Sequence, residues 1–194
     1  DIRSPDVVRY GGATGSSTTA GLTTQPIYGP FLEALQNEGY KPYDLGQYGG
    51  NVTFCDYVNQ KANKPNLFVF PYDWRLDNRA NSARLANYVA CVRQFYPDQK
   101  VNIVTHSMGS LLTRRYIMDN PTAKDSVGSV VTIAGPWLGG PKLPYVAETG
   151  NFVPGWIAAV DGDAIRQAVV SMPAAAELGP SKAYYDLGGR HRHN

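Results

Sequence analysis

The chain has 194 residues, 43% of them hydrophobic, which is enough for one well-buried domain and short for two. Eighteen lysines and arginines stand against 16 acidic residues, a net charge of +2 with no long run of one sign, so nothing points to nucleic acid or a polyanionic partner. No stretch approaches the roughly 20 apolar residues of a membrane span and the start lacks a signal-peptide pattern; opening on Asp1 rather than Met, the sequence is expected to be a mature or excised piece.

In chain order, Asp6 to Tyr10 fits a short strand, and Gly11 to Thr19 is a polar loop. That loop is not followed by the Gly-Lys-Ser/Thr that would cradle a phosphate. Phe31, Leu32 and Leu35 share a helical face, so a helix is expected to open near Pro30 and stop at Gly39. Tyr40 to Asn51 reads as irregular, and Cys55 to Asn66 is ambiguous. Leu67-Phe68-Val69-Phe70 is the apolar run of a strand buried on both faces, ended by Pro71.

Cys55 and Cys91 are the two cysteines, and their spacing is no metal signature. A disulfide between them is one candidate; two buried free thiols are the other. The Asn51-Val52-Thr53 sequon makes Asn51 a candidate glycosylation site. Sequon and disulfide together would fit an oxidising, secreted or endomembrane-lumen setting, including the lysosome. No metal or cofactor is called for.

From Asn78 the apolar positions Leu85, Tyr88, Val89, Val92 and Phe95 recur at helical spacing until Pro97. A strand over Val101–Thr105, a helix over Met108–Met118 stopped by Asn120-Pro121, and a buried strand over Val127–Ala134 follow. Strand alternating with helix is the rhythm of crossovers in a parallel sheet, so the class is α/β. Sites in such sheets form at the carboxyl ends of the strands. Tyr72-Asp73-Trp74-Arg75, Ser107 and Gly135-Pro136-Trp137-Leu138-Gly139-Gly140 each follow a strand and are expected to converge there.

Ser107 sits where a β-branched run gives way abruptly to a helix. A serine hydroxyl is a poor nucleophile at neutral pH and must be held exposed, beside a base and beside donors to an oxyanion. A sharp elbow between strand and helix supplies the geometry, with Gly109 leaving room in the turn and the Met108 N–H as a candidate oxyanion donor. The position two before the serine is Thr105 instead of glycine, so its side chain must be accommodated against the following helix.

Pro71-Tyr72-Asp73-Trp74-Arg75, Thr105-His106-Ser107-Met108-Gly109 and Ala134 to Gly140 resemble the lecithin:cholesterol acyltransferase family, which includes the lysosomal A-type phospholipases, within the α/β-hydrolase fold. Ser171-Met172-Pro173 with Glu177-Leu178-Gly179-Pro180-Ser181 resembles a further family segment, usually closer to leucine-leucine-proline-serine. The likeness runs from about Pro30 to Ser181. It implies acyl-ester chemistry on lipids through an acyl-enzyme on Ser107, with water or an alcohol taking the acyl group, at a membrane or lipoprotein surface. Tyr72, Trp74 and Trp137 are then candidate walls of an acyl groove, while Asp73 and Arg75 are expected to brace their loop.

The triad of this fold runs Ser, Asp or Glu, His. His106 adjoins the serine and is poorly placed as base, which leaves His191 and His193 near the end of the sequence; His191 is taken as the candidate base and Asp163 as the candidate acid, with Asp161 and Asp186 further candidates by order alone. His191 lies in a segment, 182–194, expected to be a mobile tail. The chain therefore reads as a single, partial α/β-hydrolase domain over 1–194, lacking sheet strands at both ends, either a fragment or a chain completed by another polypeptide. A catalytically incomplete lipid-binding or scaffold relative, and a non-lipid serine esterase or peptidase, are the alternative readings.

Overall fold

The structure is a computed structural model that describes residues 28–43, 64–151 and 162–190. Packing divides the described chain into two compact units: the residues up to Asp73 together with Asn87–Lys100, and Trp74–Ala86 together with the residues from Val101 onward.

In the first unit, α1 spans Gly29–Asn37, with Pro30 in its first turn, where the ring pre-sets the helical φ and no N–H is lost. Gly39 ends it in the left-handed conformation, φ 90°. Lys41 to Tyr43 then run beside Asn66 and Leu67 in a parallel bridge between Pro42 and Leu67, with Tyr43 N–H donating to the Leu67 carbonyl at 2.8 Å. The strand expected at Leu67–Phe70 is here an extended, half-buried segment with that single bridge. A ladder needs a neighbour along its length, and among the described residues only the short Lys41–Tyr43 stretch provides one.

Side chains hold this segment instead. α2 spans Asn78–Phe95 and is divided between the units after Ala86. Its buried Cys91 and Phe95 pack with Tyr43, Phe68 and Tyr96. The Tyr43, Phe68 and Phe95 rings form a triangle with centroids 5.5 to 6.0 Å apart. Tyr88 donates its hydroxyl to the Val69 carbonyl at 2.7 Å, and burial, then Tyr43, pushes its phenol pKa upward. The helical stripe expected from spacing is found: Leu85, Val89, Val92 and Phe95 are all buried. Cys91 is disulfide-bonded. Its candidate partner Cys55 and the sequon at Asn51 lie outside the described residues.

The second unit carries β1 (Val101–His106), α3 (Gly109–Asp119), α4 (Ala123–Ser126) and β2 (Val127–Ile133). β1 and β2 pair in parallel, Ile103 opposite Val130 and His106 opposite Ile133, which is the pairing a strand-helix-strand crossover produces. α3 packs on β1, and Leu112 and Tyr116 are among its buried residues. The strand expected at Val127–Ala134 is present but not buried: Val131 is 53% and Ile133 45% exposed. Among the described residues this sheet has two strands, so β2 has a ladder partner on one edge only.

Four further helices follow β2: α5 (Lys142–Thr149), α6 (Gly162–Ser171), α7 (Pro173–Glu177) and α8 (Lys182–Arg190). α5 buries Val146, packs on α6, and ends at Gly150 with φ 72°. α8 occupies 182–190, where the sequence suggests a tail; Ser181 caps it by accepting the Tyr184 N–H at 3.3 Å. The Glu177 carboxylate accepts the Asn78 N–H at 3.0 Å, so the end of α7 caps the start of α2. The strands and helices make a mixed α/β fold with a small parallel sheet.

Candidate active site

Ser107 follows β1 directly and takes φ 53°, a left-handed backbone that an L-residue with a β-carbon adopts only under constraint. Such strain costs of the order of 1–3 kcal/mol and persists where the surroundings over-determine it. Here the N–H of Ser107 donates to the Ile133 carbonyl at 2.9 Å, carrying the β1–β2 ladder into the turn. Its own carbonyl accepts the Ser110 N–H at 3.0 Å in the first turn of α3. Met108 is already helical, φ −58° and ψ −25°, with its side chain buried. Among the described residues no backbone carbonyl accepts its N–H, which lies at the positive end of an 11-residue helix.

Thr105 resolves the departure from glycine two residues before the serine. Its side chain is 8% exposed, and its Oγ1 lies 2.9 Å from the Oγ of Ser110, which is fully buried. The hydroxyl that has to be accommodated against the helix is bonded to it. Spacing alone did not single out Ser110; a hydroxyl residue three positions after the elbow serine was the available signal.

The loop after β2 runs beside this elbow. Ala134 also takes a left-handed backbone, φ 50°. A β-carbon at Gly135 would lie 2.9 Å from the Ser110 Cβ and 3.0 Å from both its Oγ and the Trp137 ring, so glycine lets this loop close on α3. Further on, Gly140 N–H donates to the Leu178 carbonyl at 2.7 Å, and Ser181 N–H to the Leu138 carbonyl at 2.8 Å. Trp137, 49% exposed, therefore stands on a loop pinned from two sides.

The Tyr72–Arg75 stretch is divided between the units. Trp74 and Arg75 belong with Ser107; Trp74 is 59% exposed, and the Arg75 carbonyl accepts a long bond, 3.5 Å, from Ala174 N–H. Tyr72 and Asp73 belong to the first unit, where Phe70 stacks on Tyr72 with centroids 6.0 Å apart. Burial, with a smaller contribution from Tyr28, pushes the Tyr72 phenol up to about 12. It stays a neutral, largely apolar ring at physiological pH.

Of the candidate acid and base, Asp163 lies among the described residues and His191 does not. Asp163 lies in the first turn of α6, 80% exposed, and pairs with Arg166 at 3.3 Å. That arrangement suits a helix N-terminus and contributes little energy. Asp186 pairs with Lys182 at 2.7 Å on α8. His106 is exposed while its neighbour Thr105 is buried, so the two side chains leave β1 on opposite faces. His191 and Asp161 lie outside the described residues. No metal-binding cluster is found among the described residues.

Ser107 thus sits in a left-handed turn between a parallel strand and a helix of an α/β protein. The lecithin:cholesterol acyltransferase family model matches residues 50–166, more than half of the chain, and the chain belongs to that family. It is 31% identical over 97 residues to the lecithin-cholesterol acyltransferase-like 4 protein of Arabidopsis thaliana, a match covering 46% of this chain and 18% of that protein. The chain thus spans under a fifth of that relative. No solved structure matches it. Among the described residues no helix is long and apolar enough to cross a membrane.

Proposed function

We propose that this chain carries the nucleophile of a serine-dependent lipid acyl-ester hydrolase or acyltransferase of the α/β-hydrolase fold. The left-handed backbone of Ser107 at the carboxyl end of β1 carries this reading, because strain of that kind clusters at functional sites and aims a hydroxyl outward. Ser107 Oγ attacks the ester carbonyl as its proton passes to a base, and Met108 N–H donates to the oxyanion. The carbonyl re-forms, the alcohol departs with the proton, and an acyl-enzyme is left. Water then releases a fatty acid, or an acceptor alcohol takes the acyl group as a new ester. His191 is the candidate base and Asp163 the candidate acid. The exposed faces of Trp74 and Trp137, and the neutral Tyr72, are candidate contacts for acyl chains, at a membrane or lipoprotein surface in a secreted or lumenal setting. A Cys55–Cys91 disulfide and glycosylation at Asn51 belong to the same proposal.

The ion-paired, exposed Asp163 favours a second reading, in which the base and acid come from outside these 194 residues, on the same or another polypeptide. One experiment addresses both. The natural protein and the chain alone are treated with a fluorophosphonate, and the labelled residue is located by mass spectrometry. Labelling at Ser107 in the natural protein, abolished by Ser107→Ala, is the expected result; a folded protein that takes no label removes the catalytic reading. Labelling of the natural protein but not of the chain alone selects the second reading. Hydrolysis of a long-chain phospholipid against a short-chain ester then separates a lipid enzyme from a general esterase.

A further inference from the structure

The strained turn at Ser107 is closed from behind by a pair of side chains that do not face substrate. Thr105 stands two residues before the serine and Ser110 three after it, and their hydroxyl oxygens are 2.9 Å apart. Both side chains are out of water, at 8% and 0% exposure, so solvent does not compete for the bond. Ser110 is fixed from a third direction, because the loop after β2 lies against it where Gly135 has no β-carbon.

We propose that the Thr105–Ser110 hydroxyl pair is a positioning device that holds Ser107 in its left-handed conformation. This rests on the reading of Ser107 as nucleophile. The main-chain bonds of Ser107, to Ile133 and from Ser110, restrain the two ends of its peptide frame. The side-chain bond spans the frame and fixes the end of β1 relative to the start of α3, which sets how sharply the chain must turn at residue 107. Without it the turn opens, Ser107 falls back toward negative φ, and Oγ swings away from the place where a carbonyl carbon and the Met108 N–H meet. A misplacement of about 1 Å at a reacting atom lowers a rate on the order of 100-fold. Neither hydroxyl takes part in bond making, so the effect falls on the acylation rate and not on substrate affinity.

The test uses the natural protein with Thr105→Val, which keeps the shape and removes the hydroxyl, Ser110→Ala, their combination, and Thr105→Ser, which keeps the hydroxyl. Fluorophosphonate labelling rates and ester kcat and KM are measured at a temperature where near-ultraviolet circular dichroism shows every variant folded. Thr105→Val and Ser110→Ala are each expected to slow acylation by about 10-fold or more with KM held within about 2-fold, and the double variant to be no worse than the worse single, since one bond is removed in all three. Thr105→Ser is expected to label at nearly the wild-type rate, a rescue that a purely volumetric role would not give. Wild-type rates in Thr105→Val, equal impairment in Thr105→Ser, or multiplied losses in the double variant overturn the proposal. If Thr105→Val does not fold, Ser110→Ala decides: slow labelling supports the pair and wild-type labelling overturns it. Failure of the wild type to label at Ser107 removes the nucleophile and the positioning role together, whereas a labelled wild type matched by its variants removes only the second.

Discussion

Ser107 and Ala134, the first residues beyond two paired parallel strands, share a left-handed backbone, with φ of 53° and 50°. The Ser107 N–H donates to the carbonyl of Ile133, immediately before Ala134, at 2.9 Å, so the two turns are built on one ladder. The strain at Ala134 can be tested by substitution. Ala134→Val puts a β-branched side chain at positive φ and is expected to destabilise by about 2 kcal/mol, whereas Ala134→Gly should fall within about 1 kcal/mol of wild type. Urea unfolding of both variants checks this; a valine variant as stable as wild type would show that the turn is not held left-handed.

Two glycines with the same φ of 90° are expected to respond differently to a methyl group. At Gly39 an added β-carbon meets nothing within 4 Å, while at Gly139 it would lie 2.1 Å from the Gly179 carbonyl oxygen. Gly39→Ala therefore carries only the left-handed penalty, about 1 kcal/mol. Gly139→Ala must also separate the Trp137 loop from the Leu178–Ser181 segment, and a loss of about 3 kcal/mol or more is expected with increased proteolysis at that loop. Equal losses at the two positions in urea unfolding would rule out the close approach.

The contrast between these loops shows what the sequence could disclose. The α2 stripe, β1, α3 and the Ser107 turn were legible because each is fixed by neighbours within a few residues: periodic apolar positions, a β-branched run, a small-residue turn. The Trp137 loop was legible as a motif, but its docking on Leu178 to Ser181 was not, since the bonds join residues about 40 positions apart and go through the backbone, which leaves no side-chain pattern. Leu67–Phe70 misled for a related reason. Its apolar run expresses burial against α2 aromatics as readily as burial within a sheet, and periodicity does not separate the two. Thr105 looked like a departure from the motif until Ser110 supplied its partner.

Glu177 illustrates the same kind of long-range connection at a helix end. Its carboxylate accepts the Asn78 N–H at 3.0 Å, one of the donors the first turn of α2 leaves without a helical partner. Glu177→Ala is expected to destabilise by about 1 kcal/mol, and Glu177→Gln by less, because the amide keeps an acceptor but loses the charge that favours a helix N-terminus. Unfolding at low and high salt separates the contributions: the difference between glutamate and glutamine should shrink with salt, and an alanine variant without loss would remove the cap.

Two half-buried phenols predict alkaline instability. Burial holds Tyr72 up at about 12 against an ordinary value of 10.0, and Tyr88 moves in the same direction. The folded state therefore keeps these protons more tightly than the unfolded chain. The sign follows: their contribution is complete below pH 10 and is lost as pH rises through the folded pKa, which for Tyr72 defines a window from 10 to about 12. Tyr88→Phe is expected to lower stability at pH 8 by about 1 kcal/mol through loss of the bond to the Val69 carbonyl, yet to decline less steeply above pH 10. Parallel curves for wild type and variant across that window would contradict the burial of this hydroxyl.

The strain at Ser107 and the hydroxyl pair behind it should be thermodynamically coupled. Ser107→Gly removes the β-carbon that makes φ 53° unfavourable, and is expected to be as stable as wild type or more so by about 1 kcal/mol, while taking no fluorophosphonate. In wild type, Thr105→Val loses a buried hydroxyl bond but lets Ser107 relax, so released strain offsets part of the loss. In the Ser107→Gly background there is no strain to release, and the same substitution should destabilise more, by about 1–2 kcal/mol. A double-mutant cycle from urea unfolding measures this difference directly. Additivity within about 0.3 kcal/mol would mean that the pair does not hold the turn, and that Ser107 is kept left-handed by its backbone bonds alone.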